Sequence, residues 1–184
     1  LTVSDNSVKG AWLLGGNIGT STINNFIGTT DNQALLFKIN NQNAGYLGIA
    51  GNTFWGLKSG DINTSGFSNV AIGNYALNKN TNRSNLVAVG DSALLNNGVG
   101  ALTSVQSINN TAIGSKALYT NNLGSYNTAI GYNALLANTS GTQNTATGVD
   151  ALHFNSTGIL NAAHGINALF LNTTGSFNTA NGAN

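Results

Sequence analysis

Only 6% of this 184-residue chain is charged, six Lys and Arg against five Asp and Glu, and a net charge of +1 leaves electrostatics no partner to select. After Lys116 there is neither lysine nor arginine, which excludes the phosphate neutralisation that nucleic-acid binding needs. Cysteine is absent, so disulfides and thiolate zinc sites are excluded, and no apolar run approaches the ~18 residues of a membrane-spanning helix.

Solubility therefore falls to Asn, Thr, Ser and Gly, whose uncharged groups can stack in register without repulsion. Low charge together with absent Cys and Met suits an exposed, oxidising setting, and the expectation is an extracellular protein. No signal-like stretch opens the chain at Leu1, which predicts a processed chain or a piece of a longer one.

Residues 1–51 have no internal repeat. Within them the run Ala34-Leu35-Leu36-Phe37-Lys38-Ile39 predicts a strand, Asn40 to Gly45 a turn, and Tyr46 to Ile49 a returning strand. The region is read as a small N-terminal β cap. From Asn52 to Asn184 one motif recurs every seventeen residues, about eight times with the last copy partial. Its clearest copies open at Asn110, Asn127, Asn144, Asn161 and Asn178, preceded by NVAIG from Asn69, LVAVG from Leu86 and a degenerate NTFWG from Asn52. The full unit is NTAIGYNALLANTSGTQ, Asn127 to Gln143. Seven extra residues near 101–109 interrupt the unit opened by Leu86, and they predict a surface loop.

Glycine closes the first pentad at Gly56, Gly73, Gly90, Gly114, Gly131, Gly148, Gly165 and Gly182, which predicts a positive φ or a backbone approach too close for a Cβ. The leucine of the following Ala-Leu pair, at Leu77, Leu94, Leu118, Leu135, Leu152 and Leu169, is the predicted core layer. NTSG-like turns follow at 138–141, 155–158 and 172–175. Seventeen residues divide into two short extended stretches and two turns, one coil of an all-β parallel β-roll or solenoid; the alternative is a single helical turn over the Ala-Leu stretch. Burying one Leu contributes ~2 kcal/mol, whereas fixing a coil costs ~17–34 kcal/mol of backbone entropy, so coils are expected to stand only when stacked, and chains to associate laterally. An apolar stripe that grows along the repeats, Leu136, Phe154, Phe170 and Leu171, is the candidate subunit interface. The partial last copy carries no polar cap, which predicts a continuing chain or a stacked subunit at that end.

The NTAIG…AL…NTSG unit over 52–184 resembles the head repeats of trimeric autotransporter adhesins and the related repeats of bacterial and phage-type tail fibres. Asn25 to Lys38 is similar to a stretch that precedes such repeats in those proteins. The resemblance implies left-handed parallel β-rolls, three chains wound about one axis as a homotrimeric fibre, and attachment to a surface receptor or glycan. It implies a structural protein rather than an enzyme.

Catalytic chemistry has little to draw on. His153 and His164 are the only imidazoles, and Asp150 with His153 is the one pair that suggests a hydrolytic triad; the plainer reading is an exposed Asp where other copies hold Asn133 and Asn167. His164 takes an Ile position, as a packed histidine or, in a trimer, as one of three about the axis that could hold a metal or anion. Asn stands where calcium-binding rolls need Asp, and no cofactor is expected. Tyr126, Leu160 and Phe177 share the last position of their units and are read as packing between coils. Two other functions fit the repeat: an ice- or crystal-binding solenoid using Thr111, Thr128, Thr145 and Thr179, and the non-catalytic fibre domain of a depolymerising enzyme.

Overall fold

A computed structural model describes Ile18, Thr20, Ser21 and residues 26–183. Part of the proposed cap region, residues 1–17, 19 and 22–25, lies outside the described residues. The chain divides into two units, 1–33 and 34–184. In the first, the Thr29 hydroxyl donates to the Gln33 carbonyl at 2.9 Å, and no strand forms among the described residues.

The second unit is all-β. Strands β1 (Leu35–Ile39) and β2 (Gln42–Leu47) form an antiparallel hairpin. Asn40 and Asn41 close it with φ of 47° and 59°, the left-handed pair that a tight hairpin turn requires and that Asn tolerates. Strand β3 (Thr53–Trp55) pairs antiparallel with β2, and from there every pairing is parallel. Strands β4 (Val70–Ile72), β5 (Val87–Val89), β6 (Thr111–Ile113), β7 (Thr128–Ile130), β8 (Thr145–Thr147), β9 (Ala162–His164) and β10 (Thr179–Asn181) follow in chain order across one ten-stranded sheet. The architecture is a β-solenoid with one strand per coil, and the seventeen-residue repeat sets the register.

Each of these strands has three residues because only its middle side chain faces inward. Alternation puts Ala71, Ala88, Ala112, Ala129, Ala146 and Ala163 inside, all 0% exposed, and turns both neighbours outward. Phe54 fills that place in the first coil. A methyl group leaves room for the opposite wall, which carries the second alanine and the leucine. Leu77, Leu94, Leu118, Leu135 and Leu152 are fully buried as predicted, and Leu169 is half-buried.

That opposite wall corrects the expectation of a second extended stretch, and the helical alternative does not form either. It is a run of overlapping four-residue turns. In one coil Ala134, Leu136 and Asn138 donate to the carbonyls of Gly131, Asn133 and Leu135 at 3.3, 3.1 and 3.2 Å. Asn133 and Leu135, third in the first two turns, have φ of 55° and 52°. The intervening N–H groups point out of the coil: Leu135 and Ala137 donate to Ala151 and His153 of the next coil, both at 3.0 Å. The wall curves sharply yet is bonded to its neighbours as a strand would be. A left-handed leucine costs ~1–2 kcal/mol, and its full burial contributes ~1.5–3 kcal/mol, so burial offsets the strain. The same conformation is a severe outlier for a β-branched side chain, which accounts for Leu, never Val or Ile, at this place in every Ala-Leu pair.

Two columns of asparagine complete the interior. The Asn opening each pentad donates its Nδ2 to a carbonyl of its own coil, as Asn127 does to Gly141 at 2.8 Å. Its Oδ1 accepts the backbone N–H of the equivalent residue one coil later, as in Asn144 to Asn127 at 2.9 Å. The Asn opening each NTSG turn donates to the carbonyl three residues on and to the Oδ1 of the Asn one coil earlier: Asn138 to Gly141 at 3.0 Å and to Asn121 at 2.8 Å. Asn69, Asn80, Asn97, Asn110, Asn121, Asn127, Asn138, Asn144 and Asn155 are all fully buried. Asparagine suits the place because one group both donates and accepts, so identical residues satisfy one another, and buried polar atoms without partners would cost ~1–3 kcal/mol each. Leu86 replaces one member and is buried in its stead, still donating its N–H to Asn69 at 3.1 Å.

From Gly56 to Gly165 the pentad glycines meet both predicted demands, and Gly182 meets the positive φ alone. Gly131 has φ of 137°, and a Cβ there would strike the carbonyl of Gly148 in the next coil. The glycines of the second turn differ. Gly124, Gly141 and Gly158 lack a positive φ and are required only for space, because a Cβ would strike the turn asparagine and the next glycine carbonyl.

Candidate functional surfaces

Since the interior is filled, function must lie in the side chains that the coils turn outward. The last residues of the strands stand in register as one row: Trp55, Ile72, Val89, Ile113, Ile130, Thr147, His164 and Asn181. Trp55, Ile72, Ile113 and Ile130 are exposed, so the early coils present an uninterrupted apolar row that turns polar at Thr147. Beside it run Thr111, Thr128 and Thr145, half-buried, with Val70, Val87 and Ala162 breaking the threonine column.

A second apolar stripe runs along the turn wall. Phe154 and Leu171 are exposed, while Leu136 and Phe170 are half-buried. The rings of Phe154 and Phe170 meet edge to face at 5.1 Å, and His153 lies against both, with centroids at 4.5 and 5.1 Å.

The structure does bring Asp150 and His153 together. Asp150 Oδ1 accepts from His153 Nδ1 at 2.8 Å and from Asn133 Nδ2 of the preceding coil at 3.0 Å, which fixes the imidazole against the two phenylalanines. Asn133 Oδ1 is buried without a partner among the described residues. His164 is exposed on the sheet face between Thr147 and Asn181. Among the described residues no group of three or more His, Cys, Asp or Glu is placed to hold a metal ion, and no helix is long and apolar enough to cross a membrane.

The insertion forms a built loop, residues 98–106, between Asn97 and Ser107, slightly earlier than its expected place. Gln106 Oε1 accepts the N–H groups of Leu102 and Thr103 at 2.9 and 3.1 Å. Arg83 stands where later coils have the turn glycine, is 5% exposed, and donates Nη1 to Thr103 at 2.5 Å and Nη2 to Ala101 at 3.0 Å. Sequence reasoning did not find this clamp; the signal was an arginine at a glycine position one coil before the insertion. Leu102 and Val105 remain highly exposed on the loop.

Tyr126, Leu160 and Phe177 correct an expectation. They do not pack between coils but point outward, with Tyr126 56% and Phe177 73% exposed. Their φ of 61°, 57° and 61° turns the chain at the end of each unit and throws the side chain to the surface.

No family model, curated protein or solved structure matches this chain.

Proposed function

We propose that the chain is a rigid, non-catalytic segment of an extracellular homotrimeric fibre, of the adhesin or tail-fibre type, that holds a binding surface away from the cell or particle carrying it. The observation that carries this reading is the pair of uncovered apolar stripes, the strand-end row from Trp55 to Ile130 and the turn-wall stripe of Leu136, Phe154, Phe170 and Leu171. A ring about a three-fold axis needs two different patches on each chain, one for each neighbour, and two distinct stripes supply them. Continuous parallel pairing through the coils favours stiffness, and the antiparallel hairpin β1–β2 gives the first coil a paired edge, in keeping with a capping role. The resemblance of the repeats to adhesin heads supports the same conclusion.

Light scattering combined with small-angle X-ray scattering tests it. A rod of three chains is expected, and the double variant Ile113→Lys, Ile130→Lys is expected to fall to monomers with its β-structure retained. A compact wild-type monomer overturns the reading. A second reading, binding to ice or a crystal surface, draws on Thr111, Thr128 and Thr145 standing in register at the ~4.8 Å inter-strand spacing. Thermal hysteresis by the wild-type monomer would favour it.

A further inference from the structure

We propose that the groove between the insertion loop and the end of the Tyr126 coil is a subsite for a neutral saccharide, an inference that rests on the reading of the fibre as a presenter of binding surfaces. Three observations converge there.

The first is an aromatic side chain held at the surface beside the loop. Tyr126 has φ of 61°, and its ring is mostly exposed with no aromatic neighbour among the described residues. The left-handed φ that closes every unit turns this ring outward and leaves its face open to a ligand. Other coils fill this place with Ser68, Asn85, Asn109, Gln143, Leu160 or Phe177 at a similar φ; of the two rings, only Tyr126 stands beside the insertion loop.

The second is that the wall facing the tyrosine is fixed. Ser125 Oγ donates to Val105 at 2.9 Å and accepts the N–H of Ile108 at 3.3 Å, while the N–H of Tyr126 bonds the carbonyl of Ile108 at 3.1 Å. Gln106 is held through its Oε1, so its Nε2 is presented in a set direction with no partner among the described residues.

The third is the chemistry of the lining. Val105 and the Tyr126 ring are apolar; Gln106, Gln143, Ser140 and Thr142 bring amide and hydroxyl groups whose donors have no partner among the described residues. None of the lining residues is charged. An anionic or cationic ligand would find no counter-charge, and an apolar one would leave the amides unpaired. A neutral sugar ring offers an apolar C–H face to the tyrosine and a rim of hydroxyls to the amides, as a site with few oriented polar groups demands.

The test is a titration of the isotope-labelled full chain with methyl glucoside, galactoside, mannoside and N-acetylglucosaminide, followed by amide chemical shifts. At least one glycoside is expected to move resonances at 105–106, 126 and 140–143. The variant Tyr126→Asn suits the left-handed backbone, so it is expected to keep or raise the melting temperature while weakening that glycoside about tenfold or more. Absence of shifts with all four glycosides, or unchanged affinity in Tyr126→Asn, overturns the proposal. A trimer that binds none of them refutes the subsite and leaves the fibre reading standing; a monomer that binds one does the reverse.

Discussion

Replacing Asn138 by alanine measures what the buried asparagine columns contribute. Its Nδ2 donates to Asn121 Oδ1 at 2.8 Å and to the Gly141 carbonyl at 3.0 Å, and its Oδ1 accepts from Asn155 Nδ2 at 3.2 Å. Three bonds at ~1 kcal/mol net give a loss of ~3 kcal/mol, and the stranded buried partners, at ~1–3 kcal/mol each, push it toward ~5 kcal/mol. Thr157→Ala is the control: it lies in the following NTSG-like turn, is exposed, and its hydroxyl bonds nothing among the described residues. That change should stay within ~0.5 kcal/mol. Asn138→Asp sharpens the test, since it keeps the shape but aims carboxylate oxygens at two acceptors. Burial and those acceptors raise the folded-state pKa of the new acid above its unfolded value of ~3.9. Its stability is then greatest below the unfolded pKa and falls as pH rises through the folded one. The assay is urea unfolding followed by circular dichroism across acid to neutral pH. If Asn138→Ala costs no more than Thr157→Ala, or the aspartate variant grows more stable as pH rises from acid, the columns are not what holds the coils together.

Glycine and the loop clamp give two further predictions. Gly131→Ala, with φ of 137° and the Gly148 carbonyl in the way, should cost ~4 kcal/mol or more by forcing two coils apart, whereas Gly100→Ala, with φ of 81° and nothing within 4 Å, should cost only the ~1–2 kcal/mol of left-handed strain; thermal melting of both separates close approach from conformation. Arg83→Ala removes the bonds to Ala101 and Thr103 and should make the loop a preferred site of chymotryptic cleavage at Leu102, read by mass spectrometry of limited digests.

The repeat, the parallel coil and the leucine core were legible in the sequence because each follows from identity at fixed spacing: a glycine that never varies and a leucine that never becomes valine are positions where one shape fits. The turn wall was not legible. A short apolar pair among polar residues fits a brief extended stretch as readily as a turn, and nothing in its composition announces a leucine at φ of 52°. The asparagine columns were hidden for another reason, since asparagine between Thr, Ser and Gly has the composition of a surface turn. Their signal was constancy: Asn121, Asn138, Asn155 and Asn172 recur unchanged while the next residue varies among Asn122, Thr139, Ser156 and Thr173. In this turn column each side chain bonds its own copy and no copy departs from asparagine, whereas the pentad column admits Leu86. The groove beside Tyr126 could not be read at all, because one wall comes from an insertion whose path only Arg83 and Gln106 determine.

Both asparagine columns run one way. In each, the later coil supplies the N–H and the earlier coil the oxygen, from Asn69 on Asn52 to Asn178 on Asn161 with a break after Leu86, whose side chain has no oxygen to offer Asn110, and from Asn80 on Asn63 to Asn172 on Asn155. Aligned amide dipoles reinforce one another, so the stack is vectorial, with chemically unlike faces before and after every coil. Two such stacks could be continued in one another only head to tail, and a coil entered backwards would set oxygen against oxygen at both columns. Direction along the solenoid is thus written into its interior as firmly as it is written into the backbone.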